Sequence, residues 1–217
     1  RYASRMGIAK PEWKRFSMKN KFCITLVVAQ AIAATMAFPL GAHAQPKPLQ
    51  LVVPFAPGGG QDLLARAFNQ ELGAALGQPV IVEYRAGAGG MVGSSFVAKS
   101  DPASAALLVG SAGHTISALL QVRPPYHPVN DFTAVSHIAT SNQIVLVNAQ
   151  VPASSVREFV AYARANPGKL NYASAGVGSF QHLSAALFMS QAGINVVHVP
   201  YKGGGPAMAD VMGGQAD

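Results

Sequence analysis

The chain has 217 residues, 16 Lys or Arg against 9 Asp or Glu, and a single cysteine, which excludes an internal disulfide framework. Residues 1–44 hold seven of the basic residues and one of the acidic ones, and the remainder carries 9 and 8, close to neutral. The high overall isoelectric point therefore belongs to the leading segment, and a nucleic-acid partner loses its main electrostatic support.

The order of elements begins with an export signal. Met18-Lys-Asn-Lys21 supplies a basic start and Phe22 to Leu40 an apolar stretch. Pro39 and Gly41 break any helix, and Ala42-His-Ala44 fits a small-residue cleavage signal before Gln45. Gln30, Thr35 and Pro39 interrupt the apolar stretch and no stop-transfer charges follow it, which argues against a membrane anchor. Residues 18–44 thus read as a signal peptide cleaved after Ala44, and residues 1–17 as upstream sequence. Cys23 lies inside the signal, so the mature chain has no thiol. A cysteine-free exported chain suits a bacterial periplasm.

From residue 45 onward one unit repeats five times: strand, glycine-bearing loop, helix. Leu49 to Val53 is an apolar run leading into Pro54-Phe-Ala-Pro-Gly-Gly-Gly-Gln-Asp62 and a helical pattern from Leu63 to Glu71. Gln78 to Tyr84 reads as a buried strand, Arg85 to Gly90 as its loop, and Met91 to Lys99 as a helix. Ala105 to Gly110 is a third strand, Ser111 to Thr115 its loop, and Ile116 to Gln121 a short helix. Arg123 to Pro128 carries three prolines and is a rigid loop. Two apolar runs, 132–138 and 144–147, follow, and the passage between domains is expected near Ser141 to Asn148.

Ser154 or Ser155 caps an amphipathic helix from Val156 to Arg164. Leu170 to Ser174 is a strand entering Ala175-Gly-Val-Gly-Ser179, followed by a helix from Phe180 to about Gln191. Asn195 to Pro200 is the last strand, Tyr201 to Gly205 its loop, and Pro206 to Met212 a helix with proline at its first position. Gln215 to Asp217 resembles the approach to another strand. Alternating strands and helices imply an α/β fold with parallel sheets, whose ligands collect beyond the carboxyl ends of the strands. Consecutive glycines there let a ligand reach main-chain N–H groups, and each following helix adds the positive end of its dipole.

Catalytic signatures are weak. Gly87 and Gly89 start a dinucleotide spacing that Val92 breaks, and no phosphate-binding G-x-x-x-x-G-K-[ST] is present. Ser111 and Ser174 have a glycine only on the far side of a hydrolase elbow. Ser179 and His182 could be imagined as nucleophile and base, yet a helix cap and a cleft-side helix residue describe them more simply. The histidines are scattered without metal-ligand spacing, so no metal and no cofactor is expected. His198 alternates with Val197 and Val199 as a strand residue would.

Pro54 to Asp62, Leu76 to Val80, Gly87 to Gly90, Asn166 to Ser174, Gln181 to Leu183, His198 to Gly203 and Gly213 to Asp217, in that order, resemble the Bug receptors, extracytoplasmic solute-binding proteins similar to those of tripartite tricarboxylate transporters. The resemblance implies a two-domain periplasmic binding protein of type II that closes like a Venus flytrap, with domain I at 45–145 and domain II at 146–217. It implies a small carboxylate as ligand, permease subunits as membrane partners, a monomer, and no enzyme activity. Carried over by position, the first wall of the site is Phe55, Ala56, Pro57, Gly58, Gly59, Gly60 and Gln61, with Gly89 and Gly90 nearby. Ser111, Ala112, His114 and Thr115 form the third loop. The second domain supplies Ser174, Ala175, Gly176, Ser179, Gln181 and His182, opposite the first wall, with Tyr201 and Lys202 at the rim.

Two departures from the family stand out. Asp101-Pro-Ala-Ser-Ala-Ala106 replaces the usual Asp-Gly-Tyr-Thr type of turn, and the family pattern continues well past Asp217, so the first sheet is expected to lack strands. Two other readings stay open at this level: a truncated product that neither folds alone nor binds, and an α/β hydrolase acting through Ser111 or Ser179.

Overall fold

The computed structural model describes residues 47–217, so the expected signal peptide and its cleavage site lie outside the described residues. Within them, no helix is long and apolar enough to cross a membrane.

The first sheet is built on β1 (Leu49–Val53), flanked by β2 (Val80–Tyr84) on one side and β3 (Ala106–Leu108) on the other, both parallel to it. A central strand of a parallel sheet is covered on both faces, which explains why β1 is nearly all apolar. Leu51 and Val53 pack with Ala65 and Val109 in its core, and Phe68, Leu72 and Val82 complete the layer. α1 (Gly60–Leu76) follows β1 and ends on Gly77 in the left-handed conformation, φ 64°. α2 (Met91–Ala98) follows β2, and α3 (Ala112–Leu119) follows β3.

The second sheet pairs β4 (Asn171–Ser174) in parallel with β5 (Val197–Pro200). α4 (Val156–Ala165) precedes β4, α5 (Phe180–Ala192) joins the two strands, and α6 (Gly204–Met212) follows β5. Ala163, Leu170 and Val196 form the core here, with Phe159, Tyr162 and Met189 packed on it. At α4, the Ser155 hydroxyl accepts from the Glu158 N–H while the Glu158 carboxylate accepts from both the N–H and the hydroxyl of Ser154, a reciprocal cap.

The strand–loop–helix order is therefore as the sequence pattern indicates, and three helix starts differ. α1 starts at Gly60 rather than Leu63, because Gly59 is extended and Asp62, in the first turn, holds the preceding loop by accepting from the Gly58 N–H. α3 starts at Ala112, so Ala112, His114 and Thr115 lie in its first turn and not in a loop. Gly113 packs closely there: a Cβ at this position would lie in van der Waals contact with the Gly89 carbonyl at 3.5 Å and the Phe180 nitrogen at 3.6 Å. α6 starts at Gly204, which puts Pro206 at its third position instead of its first. Proline is still tolerated there, because first-turn N–H groups have no intrahelical partner.

Residues 133–148 contain no helix or strand, and Val135, Ile138, Ile144 and Val145 are exposed. The expected passage between domains falls in this stretch. Its end is tied down: the Asn148 N–H donates to the Asp217 carbonyl at 2.8 Å, and the Asp217 carboxylate accepts from the Asn171 main-chain N–H and side-chain amide at 2.9 Å. Residues 215–217 thus run beside the start of β4, with Ala216 buried.

Candidate functional site

The loop after β1 is shaped by one buried carboxylate. Asp62, 4 % exposed, accepts from the Gly58 N–H at 2.7 Å, the Tyr84 hydroxyl at 2.6 Å and the Arg66 Nε at 2.6 Å. Burial alone would raise its pKa, but the Gly58, Tyr84 and Arg66 partners outweigh that and hold it below the usual carboxylate value. The carboxylate thereby ties the glycine run to helix α1 and to the end of β2. Ahead of it, Phe55 is buried, and Ala56 is half-buried.

The loops of the two sheets meet main chain to main chain. The Ala56 N–H donates to the Lys202 carbonyl at 2.9 Å. A Cβ on Gly205 would overlap the Pro57 carbonyl, and one on Gly203 would stand 2.8 Å from the Ala56 nitrogen. A Cβ on Gly58 or Gly59 would lie in ordinary contact with Gly204 or Gly205, at 3.5 Å or more. The first wall, from Phe55 to Gly59, is therefore set against Lys202 to Gly205 and not against residues 174–182. The reason lies in the start of α6: with Gly204 and Gly205 helical, the last loop is short and its turn can enter the first.

Residues 174–182 meet a different part of the first sheet. A Cβ on Gly89 would overlap the Val177 carbonyl and stand 3.1 Å from the Ser179 nitrogen, and one on Gly176 would reach the Gly89 nitrogen at 3.2 Å. Gly89 and Gly90 both have positive φ, 63° and 101°, so this turn needs glycine on backbone grounds as well. Ser117, fully buried in α3, places its Oγ 2.9 Å from the Gly178 carbonyl and 3.2 Å from the Gly89 carbonyl.

Behind the 174–182 loop stands a cluster of rings. The Ser174 Oγ accepts from the Gly176 N–H at 3.1 Å and lies 2.6 Å from His198 Nε2. His198 stacks on Tyr172 at 4.7 Å and on His182 at 4.3 Å, and the His182 Nδ1 accepts from the Gly178 N–H at 3.2 Å. Burial, and then the neighbouring His182, lower the His198 pKa. Ser179 is the N-cap of α5, its hydroxyl accepting from the His182 N–H at 3.2 Å. The serine–histidine contact of this loop is thus Ser174 with His198, not Ser179 with His182. Among the described residues no carboxylate hydrogen-bonds to His198, and a hydrolase triad is not assembled. The described residues also hold no group of histidines and acids able to bind a metal.

The remaining candidates separate by environment. His114 has both ring nitrogens within hydrogen-bond distance of protein atoms, Ser94 Oγ at 3.2 Å and the Pro128 carbonyl at 3.0 Å, and it stacks on Tyr126. Its work is to hold the proline-rich loop. Ser111 is the extended residue before α3, and Ala112 and Thr115 are exposed. Gln61 and Gln181 are half-buried on the first turns of α1 and α5. The Tyr201 hydroxyl donates to Asp210 at 2.7 Å and Lys202 is exposed. Pattern reading missed Asp62 as an organiser and Ser117 and His198 as contacts. Asp62 had a local signal, an acid in the first turn of a helix after glycines, whereas the partners of Ser117 lie 28 and 61 residues away.

Two parallel sheets whose carboxyl-end loops close on each other define a periplasmic-binding-protein type of α/β fold. Residues 64–217 match the profile of the tripartite tricarboxylate transporter family receptor, and the chain belongs to that family. It is 36 % identical over 184 residues to the protein BugT of Bordetella pertussis, covering 83 % of this chain and 56 % of that one. Among solved structures it resembles MatC of Rhodopseudomonas palustris with bound malate, TM-score 0.75 and 34 % identity, covering 83 % of this chain and 60 % of that one. It also resembles an R. palustris protein with adipate, TM-score 0.74 and 34 % identity, covering 79 % and 58 %. The chain spans less than two thirds of the length of these relatives. The family matched is described as one of receptors.

Proposed function

We propose that the chain captures a small carboxylate-bearing solute in the periplasm for a tripartite tricarboxylate-type permease, binding it with main-chain amides and helix N-termini. The observation that carries this reading is the pairing of glycine loops across the two sheets. It sets the N-terminus of α1 beside that of α6, and the N-terminus of α3 beside that of α5. Each contributes unpaired N–H groups and a positive dipole end, which together suit an anion without needing a cationic side chain. Lys202 is the one permanently charged side chain among the candidate residues.

In this reading Phe55 to Gln61, Gly89, Gly90, Ser111 and Thr115 form one wall and Ser174 to His182, Tyr201 and Lys202 the other. Domain I spans 45–145 and domain II 146–217. The malate and adipate held by the two relatives favour a dicarboxylate. Calorimetric titration of malate, adipate and other dicarboxylates against neutral analogues of equal size tests it. Binding by at least one dicarboxylate and by no neutral analogue is expected, and silence across the panel overturns the ligand class. Export with cleavage after Ala44 is checked by the N-terminus of the periplasmic protein, expected to be Gln45.

A further inference from the structure

Ser117 is a buried hydroxyl with one proton and two carbonyl acceptors, and the acceptors belong to different lobes. Gly89 lies in the turn after β2, on the same lobe as Ser117, while Gly178 lies in the loop after β4. The Gly178 carbonyl is the nearer, at 2.9 Å against 3.2 Å. A donor left without an acceptor in the interior is costly, so a single-partner serine at a moving interface would penalise every opening. Ser117 avoids this. Its second acceptor, the Gly89 carbonyl, lies on its own lobe.

We infer that Ser117 is a positioning residue that latches the closed form, its hydroxyl joining the Gly89 carbonyl of one lobe to the Gly178 carbonyl of the other and falling back on Gly89 alone when the lobes separate. This rests on the reading of the protein as a two-lobed trap. The packing supports it: Gly178 has φ 80°, and a Cβ there would stand 2.8 Å from the Ser117 Oγ, so the carbonyl is brought to the hydroxyl by a turn with no room for a side chain. The second cross-lobe bond, Ala56 N–H to the Lys202 carbonyl, belongs to a different pair of loops and so reports on separation independently. In Ser117→Ala the closed form keeps its shape but leaves the buried Gly178 carbonyl without this donor, and the open form loses little.

Residue-resolved amide exchange on the full 217-residue chain tests this without a known ligand. The Ala56 amide exchanges when the lobes separate. The amides of Val109, bonded to Val52, and of Val197, bonded to Leu170, exchange when each sheet opens. In Ser117→Ala, exchange at Ala56 is expected to rise about tenfold with Val109 and Val197 unchanged, the size set by one unsatisfied buried carbonyl. An unchanged Ala56 overturns the latch. Equal acceleration at all three amides also overturns it, since Ser117 would then support folding alone. At least one dicarboxylate of the panel added to the wild type should slow Ala56. If none does so, the carboxylate reading fails while the comparison of serine with alanine still stands.

Discussion

Ser174 and His198 sit 2.6 Å apart across β4 and β5, with the ring of His198 sandwiched between Tyr172 and His182. The titratable group facing His198 on α5 is His182, and on β4 it is Tyr172. Burial first and His182 second lower the His198 pKa below its usual value. A histidine whose folded pKa is depressed contributes stability that is fully present above its unfolded pKa and is lost as pH falls through the folded one. The melting temperature is therefore expected to drop as pH falls below about 6.5. His198→Gln should show a shallower drop over the same interval in thermal scans. A variant whose slope equals that of the wild type would assign the acid sensitivity elsewhere.

Asp62 gives a carboxylate counterpart. Its pKa is lowered in the folded chain, so its contribution is present above the unfolded value and fades as acid brings pH through the folded one. Asp62→Asn keeps the shape and loses an acceptor for the Gly58 N–H, the Tyr84 hydroxyl and Arg66. A loss of roughly 2 kcal/mol is expected at neutral pH from denaturant titration, the scale of a hydrogen-bonded buried charge. The two proteins should converge as pH falls through the folded value.

Gly205 and Gly60 make a matched pair of substitutions. A Cβ on Gly205 would overlap the Pro57 carbonyl, whereas one on Gly60 meets nothing within 4 Å. Gly205→Ala should accelerate exchange at the Ala56 amide and weaken any dicarboxylate binding. Gly60→Ala, in the first turn of α1, should leave exchange at Ala56 unchanged and raise stability by up to about 1 kcal/mol. Equal behaviour of the two variants would show that the loops do not meet in solution.

The cap of α4 is a local test of the second lobe. Ser155→Ala removes the acceptor for the Glu158 N–H and should cost about 1 kcal/mol. The Glu158 pKa is lowered, first by the Ser154 N–H and then by the Ser154 hydroxyl, so Glu158→Gln should destabilise above the unfolded carboxylate pKa and have no effect in acid. Circular dichroism melts of both variants at neutral and acid pH check this.

How much of this was legible in the sequence follows from the range of each interaction. The five strand–loop–helix units were legible because apolar runs, glycines and caps such as Ser155 and Ser179 act within a few residues. The start of α3 was not, because Gly113 reads as a loop residue until its packing against Gly89 and Phe180 is seen. The candidate loops were legible as a set, but their pairing was not. Which glycine run faces which depends on how two separate sheets abut, and no spacing within the chain encodes that. Family membership came from long motifs that survive as strings, while Ser117 and His198 sit outside any glycine run and act through partners distant in sequence.

The main-chain closure of the two lobes also bears on how such a receptor could diversify. At Gly89, Gly203 and Gly205 any side chain meets the opposite backbone, so these points are closed to mutational drift whatever the solute. A change of preference has to come from positions beside them, of which Ser111, Thr115 and Gln181 keep some exposure. One closing seam of glycines then serves differing linings, with the seam inherited and only the lining exchanged.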